Sequence, residues 1–320
     1  MTAARPAHGD PRTRATLIGA LAVLMWALLA PMTAAAHDIP PLQLLATTFG
    51  IAFVSGILWL LISGGTTAVR KLRQPWTYLA FAVIALFGYH ALYFAALSLA
   101  PPAQASLVAY LWPLLIVWFA ALGDRSERIR APQIVGALLG LTGTAVLILS
   151  RDSAGLESRH VLLGLLAALA CAVIWSGYSV LNRRFQHIPS EAMVGVCGLV
   201  AVCGWLAHWL LDPQTVAARA PQWLAMIGLG VGPVGLAFLA WDHGTKHGRL
   251  ALLGSVSYGA PVLSTLLLVC LGDAPARWSL LVACVLVTAG AWLASSTRPA
   301  AAVATRTEAN AERARPSGKA

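Results

Sequence analysis

Ten separate stretches of this 320-residue chain hold almost nothing but apolar side chains: roughly residues 14–36, 42–63, 76–98, 103–122, 131–150, 160–182, 190–211, 222–244, 250–271 and 278–296. About 20 apolar residues in a helix cover ~30 Å, the thickness of bilayer hydrocarbon. Barrel strands would need only about half that length, with alternating polarity. Lipid offers backbone amides no hydrogen-bond partner, so runs of this length and composition cross it as helices. The chain is 58% hydrophobic and 11% charged, a balance with which a soluble domain could not solvate its surface. The expected fold class is an all-α membrane protein with ten transmembrane helices.

A net charge of +10 invites a nucleic-acid reading, and its placement removes it. With the N-terminus in the cytoplasm, the inner segments carry Arg5, Arg12, Arg14, Arg70, Lys71, Arg73, Arg125, Arg128, Arg130, Arg183, Arg184, Lys246, Arg249 and five cations after Thr297. The outer segments carry only Arg151, Arg159, Arg219 and Arg277. This is the positive-inside pattern, with both termini cytoplasmic. The start resembles a secretory signal, with Arg12 and Arg14 before an apolar run and Thr33-Ala34-Ala35-Ala36 after it. The run is long and contains Trp26 and Pro31, so it reads as a retained span. Cys171, Cys197, Cys203, Cys270 and Cys284 all fall within spans without metal-ligand spacing and read as packing residues. The segment 298–320 is expected to be a disordered cytoplasmic tail, and 1–13 a shorter one.

The spans repeat in two sets of five. Trp26 precedes Ile39-Pro40 by 13 residues, and Trp175 precedes Ile188-Pro189 by 13. "YLWPLLIVWFAALGD" parallels "SYGAPVLSTLLLVCLGD", aligning Pro113 with Pro261 and Asp124 with Asp273, and "LTGTAVLILS" echoes "VTAGAWLASS". The offset stays at 146–149 residues. Five is odd, so the second set enters the membrane from the other side: residues 14–150 and 151–297 form inverted repeats, the arrangement behind many alternating-access carriers.

Ten spans in two inverted halves, each with a proline in its fourth helix and a closing Leu-Gly-acidic turn, resemble the EamA type of the drug/metabolite transporter superfamily over roughly 14–296. That family usually closes these helices with Glu, where this chain has Asp124 and Asp273. The motifs Gly88-Tyr89-His90-Ala91-Leu92-Tyr93, Tyr110-x-Trp112-Pro113 and Ile174-Trp175-Ser176 are similar to those of bacterial aromatic amino-acid exporters. The resemblance implies a basket of helices around a central cavity, and an outward direction of transport.

The residues themselves mark candidate contacts. His90 and Tyr93 share one face of the third span, and Trp175, Tyr178 and Asn182 form one stripe of the sixth. Tyr110 and Trp112 lie at similar depth on the fourth span but point about 200° apart in an ideal helix. Ser257 and Pro261 share a face of the ninth, beside Tyr258. A polar tip in hydrocarbon costs several kcal/mol unless paired, so such side chains belong in a protein interior or a wet passage. The candidate substrate contacts are thus His90, Tyr93, Tyr110, Trp112, Trp175, Tyr178, Ser257 and Tyr258. Pro113, Pro233 and Pro261 are the candidate bending points, Pro233 standing among Gly228, Gly230, Gly232 and Gly235. Plain core packing is the competing account of Trp112, Trp175 and the prolines, a structural role that of His90, and helix packing that of Gly136-xxx-Gly140. His208, which has no aromatic cluster of its own, reads as structural.

Every acidic residue, Asp242 included, is read as lying in a loop, a tail or near a span end, and no lysine or arginine is read as mid-span. A proton-driven exporter of organic cations needs a buried carboxylate, so facilitated movement of a neutral or zwitterionic substrate is expected. No motif for metal, cofactor or catalysis is present. The reading is an inner-membrane amino-acid exporter working by alternating access, bathed in lipid, without nucleic-acid partners and monomeric. A carrier of purines, nucleotide-sugars or drug-like compounds is the alternative within transport, and a scaffold or receptor the alternative outside it.

Overall fold

The computed structural model describes residues 10–123, 131–149, 161–212, 214–272 and 275–295. Asp124, Asp273, the loop arginines Arg125, Arg128, Arg130, Arg151 and Arg159, and the C-terminal tail lie outside the described residues. Among the described residues all regular structure is helical. Seven helices are long and apolar enough to cross a membrane: span 1 (Pro11–Ala35), span 2 (Pro41–Leu72), span 3 (Trp76–Leu99), span 6 (Val161–Phe185), span 7 (Ala192–Leu211), span 8 (Ala220–His247) and span 9 (Leu250–Leu271). Shorter apolar helices stand at the remaining expected places. Span 4 comprises Pro102–Ala109 and Trp112–Gly123, span 5 is Ala131–Leu149 and span 10 is Trp278–Ser295.

Local chemistry sets several starts. Pro11, Pro41, Pro102 and Pro221 each occupy a first turn, where the missing N–H has no helical acceptor to lose. Two spans outrun their apolar stretches. Span 2 continues past residue 63 through a kink at Gly65, whose φ of 59° is open to glycine at little cost. Span 8 runs to His247 rather than residue 244.

The packing carries the repeat. Spans 1 and 8, 3 and 6, 2 and 7, and 5 and 10 form the most extensive pairs, and span 9 faces span 4. Adding five to each span of the first half turns pair 1–8 into pair 6–3, and maps 2–7, 4–9 and 5–10 onto themselves. That is the contact pattern of a pseudo-two-fold assembly of two five-helix units.

Helices in lipid gain little from the hydrophobic effect, so close van der Waals approach holds these pairs. A Cβ on Gly19 would stand 2.9 Å from the Gly244 Cα, and one on Gly136 would stand 2.5 Å from the Gly290 carbonyl oxygen. One on Gly140 would meet the Tyr258 ring at 2.5 Å, so Gly136-xxx-Gly140 packs helices. Gly177, by contrast, has open space. Gly136→Ala should therefore destabilise the protein by ~1–3 kcal/mol through overpacking. Gly177→Ala should be neutral or stabilise by up to ~1 kcal/mol. Thermal denaturation in detergent measures both, and equal midpoints would contradict the packing account.

Candidate functional site

Four spans are broken near the middle of the fold, where proline or glycine denies the helix a hydrogen bond. Span 1 stops at Trp26 and restarts at Leu29, with Pro31 in its new first turn. Span 4 stops at Ala109 and restarts at Trp112, with Pro113 in the new first turn. Span 9 stops at Ser257 and restarts at Gly259, with Pro261 in its first turn. Neither proline can donate to the carbonyl four residues back, that of Ala109 or of Ser257. Span 8 widens to a π-helix over Gly230–Leu236 around Pro233, a distortion that often accompanies function. The Trp26 Nε1–H donates to the Pro233 carbonyl at 3.1 Å, so span 1 supplies a donor to this stretch.

Four tryptophans from four spans meet beside these breaks: Trp26, Trp112, Trp175 and Trp241. All six pairs are in ring contact, with centroids 5.1 Å apart for Trp26–Trp241 and 6.3 Å for Trp112–Trp175 at the extremes. Edge-to-face and stacked aromatic pairs add ~0.5–1.5 kcal/mol each beyond area burial. Phe238 leans on Trp26 and Trp175, and Tyr89 and Tyr178 flank Trp175 at 5.6 and 5.4 Å. The Trp241 Nε1–H donates to Ser179 Oγ at 3.1 Å.

Exposure falls along the axis through this cluster. On one side, Tyr89, His90, Tyr93 and Tyr110 are all half-buried. The His90 Nδ1–H donates to the Leu86 carbonyl at 2.7 Å, so in the neutral ring Nε2 is the acceptor. Its ring stands edge-on to Phe49 and Phe238. Tyr93 and Ser106 exchange a hydroxyl hydrogen bond of 3.2 Å, and the Tyr89 and Tyr93 rings are stacked. On the other side, toward the end carrying Arg12, Lys71, Arg183 and Arg249, burial is complete: Trp241 is 1% exposed, Tyr178 2%, and Tyr78, Asn182 and Asp242 0%.

That buried side corrects the sequence reading. Asp242 and Lys246 lie inside the helix of span 8, their side chains wholly buried and ion-paired at 2.8 Å. The Asn182 Nδ2–H donates to Asp242 Oδ1 at 2.9 Å and to Thr245 Oγ1 at 3.1 Å. Lys246 Nζ also donates to the Ile188 carbonyl at 3.1 Å, and it stands 5.1 Å over the Tyr78 ring. The Tyr78 hydroxyl reaches Asp242 Oδ1 at 3.5 Å. The buried carboxylate and cation judged missing are both present: spans 3 and 6 cover Asp242 near the end of the expected span, and the helix continues about one turn further to carry Lys246. Beyond Lys246 a cleft of about 810 Å³ opens at the basic end, lined by Arg12, Arg14, Arg183, His243, Lys246 and His247 among others.

The expected contacts therefore divide. Trp112, Trp175 and Tyr178 join the ring cluster directly; His90 joins it through Tyr89 and Phe238, and Tyr93 through Tyr89. Tyr110 lies on the break of span 4, which dissolves the 200° conflict with Trp112 because the two no longer share an unbroken helix. Ser257 is buried and donates to the Leu253 carbonyl at 2.7 Å. Tyr258 packs with Val117, Ala137, Val262 and Ala283 in a separate core against spans 5 and 10, away from the tryptophans. His208 is buried beside Trp205 and bonds Thr215, in keeping with a structural role. Trp26 entered the sequence reading only as the repeat partner of Trp175. Trp241 was not singled out, and its signal was the polar run Trp241-Asp242-His243 at the end of an apolar span.

The family model described as the EamA-like transporter family matches residues 13–149 and again 162–296. The aromatic amino acid exporter YddG of Ancylobacter novellus is 48% identical over 284 residues, covering 89% of this chain and 98% of that protein. The exporter of the same name from Salmonella typhimurium is 28% identical over 304 residues, covering 89% and 99%. A solved crystal structure with 48% sequence identity superposes with a TM-score of 0.83, over 88% of this chain and 96% of the other.

The geometry separates packing from polar roles. Trp241→Ala should cost ~3–5 kcal/mol by emptying the ring junction. Trp241→Phe should cost far less, ~0.5–1.5 kcal/mol for the lost indole hydrogen bond plus a small volume change. Tyr178→Phe removes a buried hydroxyl without a protein partner and should leave stability unchanged or raised. Thermal midpoints of the three purified variants in one detergent check the order.

Proposed function

Since the chain belongs to the EamA-like transporter family, we propose that it exports aromatic and other neutral amino acids from the cytoplasm by alternating access. The observation that carries this is the meeting of four tryptophans from both halves, beside four helix breaks and a half-buried array of Tyr89, His90, Tyr93 and Tyr110. Indole and phenol faces take an aromatic or long apolar side chain. His90 and the tyrosine hydroxyls offer hydrogen bonds, and the carbonyls freed at Ala109 and Ser257 suit an ammonium group. Aromatic amino-acid export by the relatives named YddG supports the same substrate class.

In this proposal His90, Tyr93, Tyr110, Trp112, Trp175 and Tyr178 line the passage, joined by Trp26 and Trp241. Ser257 contributes through the break it ends, and Tyr258 supports helix packing. Pro113, Pro233 and Pro261 are the points at which residues 14–150 and 151–297 bend and rock. The basic end is the cytoplasmic one, with both termini there, by the positive-inside pattern. The protein works as a monomer in the inner membrane. Facilitated movement remains the simpler energetics: although Asp242 is buried, Lys246 already balances its charge in this conformation.

Purified protein in liposomes should move labelled L-phenylalanine or L-tryptophan saturably. Trp175→Ala should lower the flux at least about tenfold, the loss of ~1.4 kcal/mol or more of binding. His90→Ala should lower it without making it sensitive to an imposed pH gradient. Absence of flux for every amino acid would remove the substrate class, and flux that follows the pH gradient and vanishes in His90→Ala would replace facilitated with proton-coupled transport.

A further inference from the structure

The Asp242–Lys246 pair stands where a passage from the basic cleft to the tryptophans has to run. Trp241, in the ring cluster, is its immediate neighbour in sequence, and Lys246 lines the cleft on its other side. Both charges and Asn182 belong to the second half of the chain. The first half closes over them with Tyr78, whose hydroxyl meets Asp242 at 3.5 Å and whose ring lies under Lys246.

Beside the apolar packing of spans 1 and 8 and of spans 2 and 7, other polar contacts also join the halves at this end. Lys71 pairs with Glu191 at 2.7 Å and Arg249 with Asp10 at 3.5 Å, both with substantial exposure. The Arg249 N–H donates to Thr16 Oγ1 at 2.9 Å. Exposed pairs of this kind contribute about 0–1 kcal/mol each. A buried ion pair adds little net stability, because desolvation offsets its attraction, and water reaching it returns most of what separation removes. Such a contact can hold one state and release it without a deep energy difference between the two.

The side chains around the pair are incompletely satisfied. Asn182 Oδ1 and the Tyr178 hydroxyl are buried beside it with no protein partner, so hydrogen-bonding capacity remains for an incoming group. Resting on the transport reading above, we propose that Asp242 and Lys246 are the gate at the basic end and that a zwitterionic α-amino acid opens it by exchange. Its carboxylate replaces Asp242 on Lys246, and its ammonium replaces Lys246 on Asp242 and donates also to the unpartnered Asn182 Oδ1. The exchange conserves every charge contact, which a bare amine or a bare carboxylic acid cannot do.

The test uses full-length protein without its native cysteines and with Ser179→Cys, a reporter between the tryptophans and the pair. A membrane-impermeant thiol reagent is applied at the cytoplasmic face of inside-out vesicles. L-Phenylalanine should speed labelling, whereas phenethylamine, which lacks the carboxylate, should not. Lys246→Met and Asp242→Asn should label on the order of tenfold faster without ligand, the response of a two-state equilibrium to loss of its closed-state contact. The reversed pair, Asp242→Lys with Lys246→Asp, should return labelling to the slow rate and covers the case in which single variants fail to fold. Slow labelling in folded single variants, or equal opening by phenethylamine, would overturn the proposal. The readout does not require flux: labelling that responds to L-phenylalanine in a protein that carries none across would sink the export reading and leave the gate standing.

Discussion

No backbone group of a lipid-facing helix can be left without a partner, because hydrocarbon supplies none. Interruptions of helical hydrogen bonding in a bundle are therefore tolerable only where protein or water covers them from within. Here they cluster. The break at Tyr110 and Leu111, the break at Tyr258 and the π-helical stretch around Pro233 all fall in spans packed toward the interior. The Trp26 indole reaches across to the Pro233 carbonyl. The need to cover broken backbone and the need to build a polar, aromatic site are met by the same residues. Span pairing follows from this, since spans 1, 4, 8 and 9 can carry breaks only while the spans around them keep lipid away.

Hydropathy alone exposed the ten spans, and the proline and Leu-Gly-acidic matches exposed the five-plus-five order. The site was legible where one helix face could be projected from spacing. Trp175, Tyr178 and Asn182 do share a face, and His90 and Tyr93 do approach the same aromatic wall. Projection failed where the helix itself changed. Span 9 restarts after Tyr258, and that ring ends against Gly140 and span 5 instead of the tryptophans. Span 8 runs one turn past its apolar stretch, so Lys246 looked like a loop charge and Asp242 like a charge at a span end. One-dimensional polarity records that a residue is charged, but not that Tyr78 and Asn182 from two other spans will surround it. The i, i+4 spacing of Asp and Lys was the available clue, and it gains meaning only once span 8 is known to remain helical there.

The two halves share a backbone plan and differ in chemistry, and this difference gives the protein a direction. Trp26 and Trp175 are related by the repeat, and each brings an indole to the centre. At the spacing that relates Pro113 to Pro261, however, Asp242 and Lys246 correspond to Phe94 and Ser98. The end opposite the basic one therefore has no buried ion pair at the matching place; the nearby hydroxyl bond between Tyr93 and Ser106 lies within the first half. A symmetric pair of half-channels would have two conformations of equal energy. Replacing one end's apolar contact with a charge pair makes closure at that end depend on hydration, which a zwitterion can restore and an apolar solute cannot. The burial gradient agrees: the charged end is sealed and the phenol-lined end is half-exposed. An inverted repeat supplies two ways to open, and the residues that break its symmetry decide which of them the resting protein adopts.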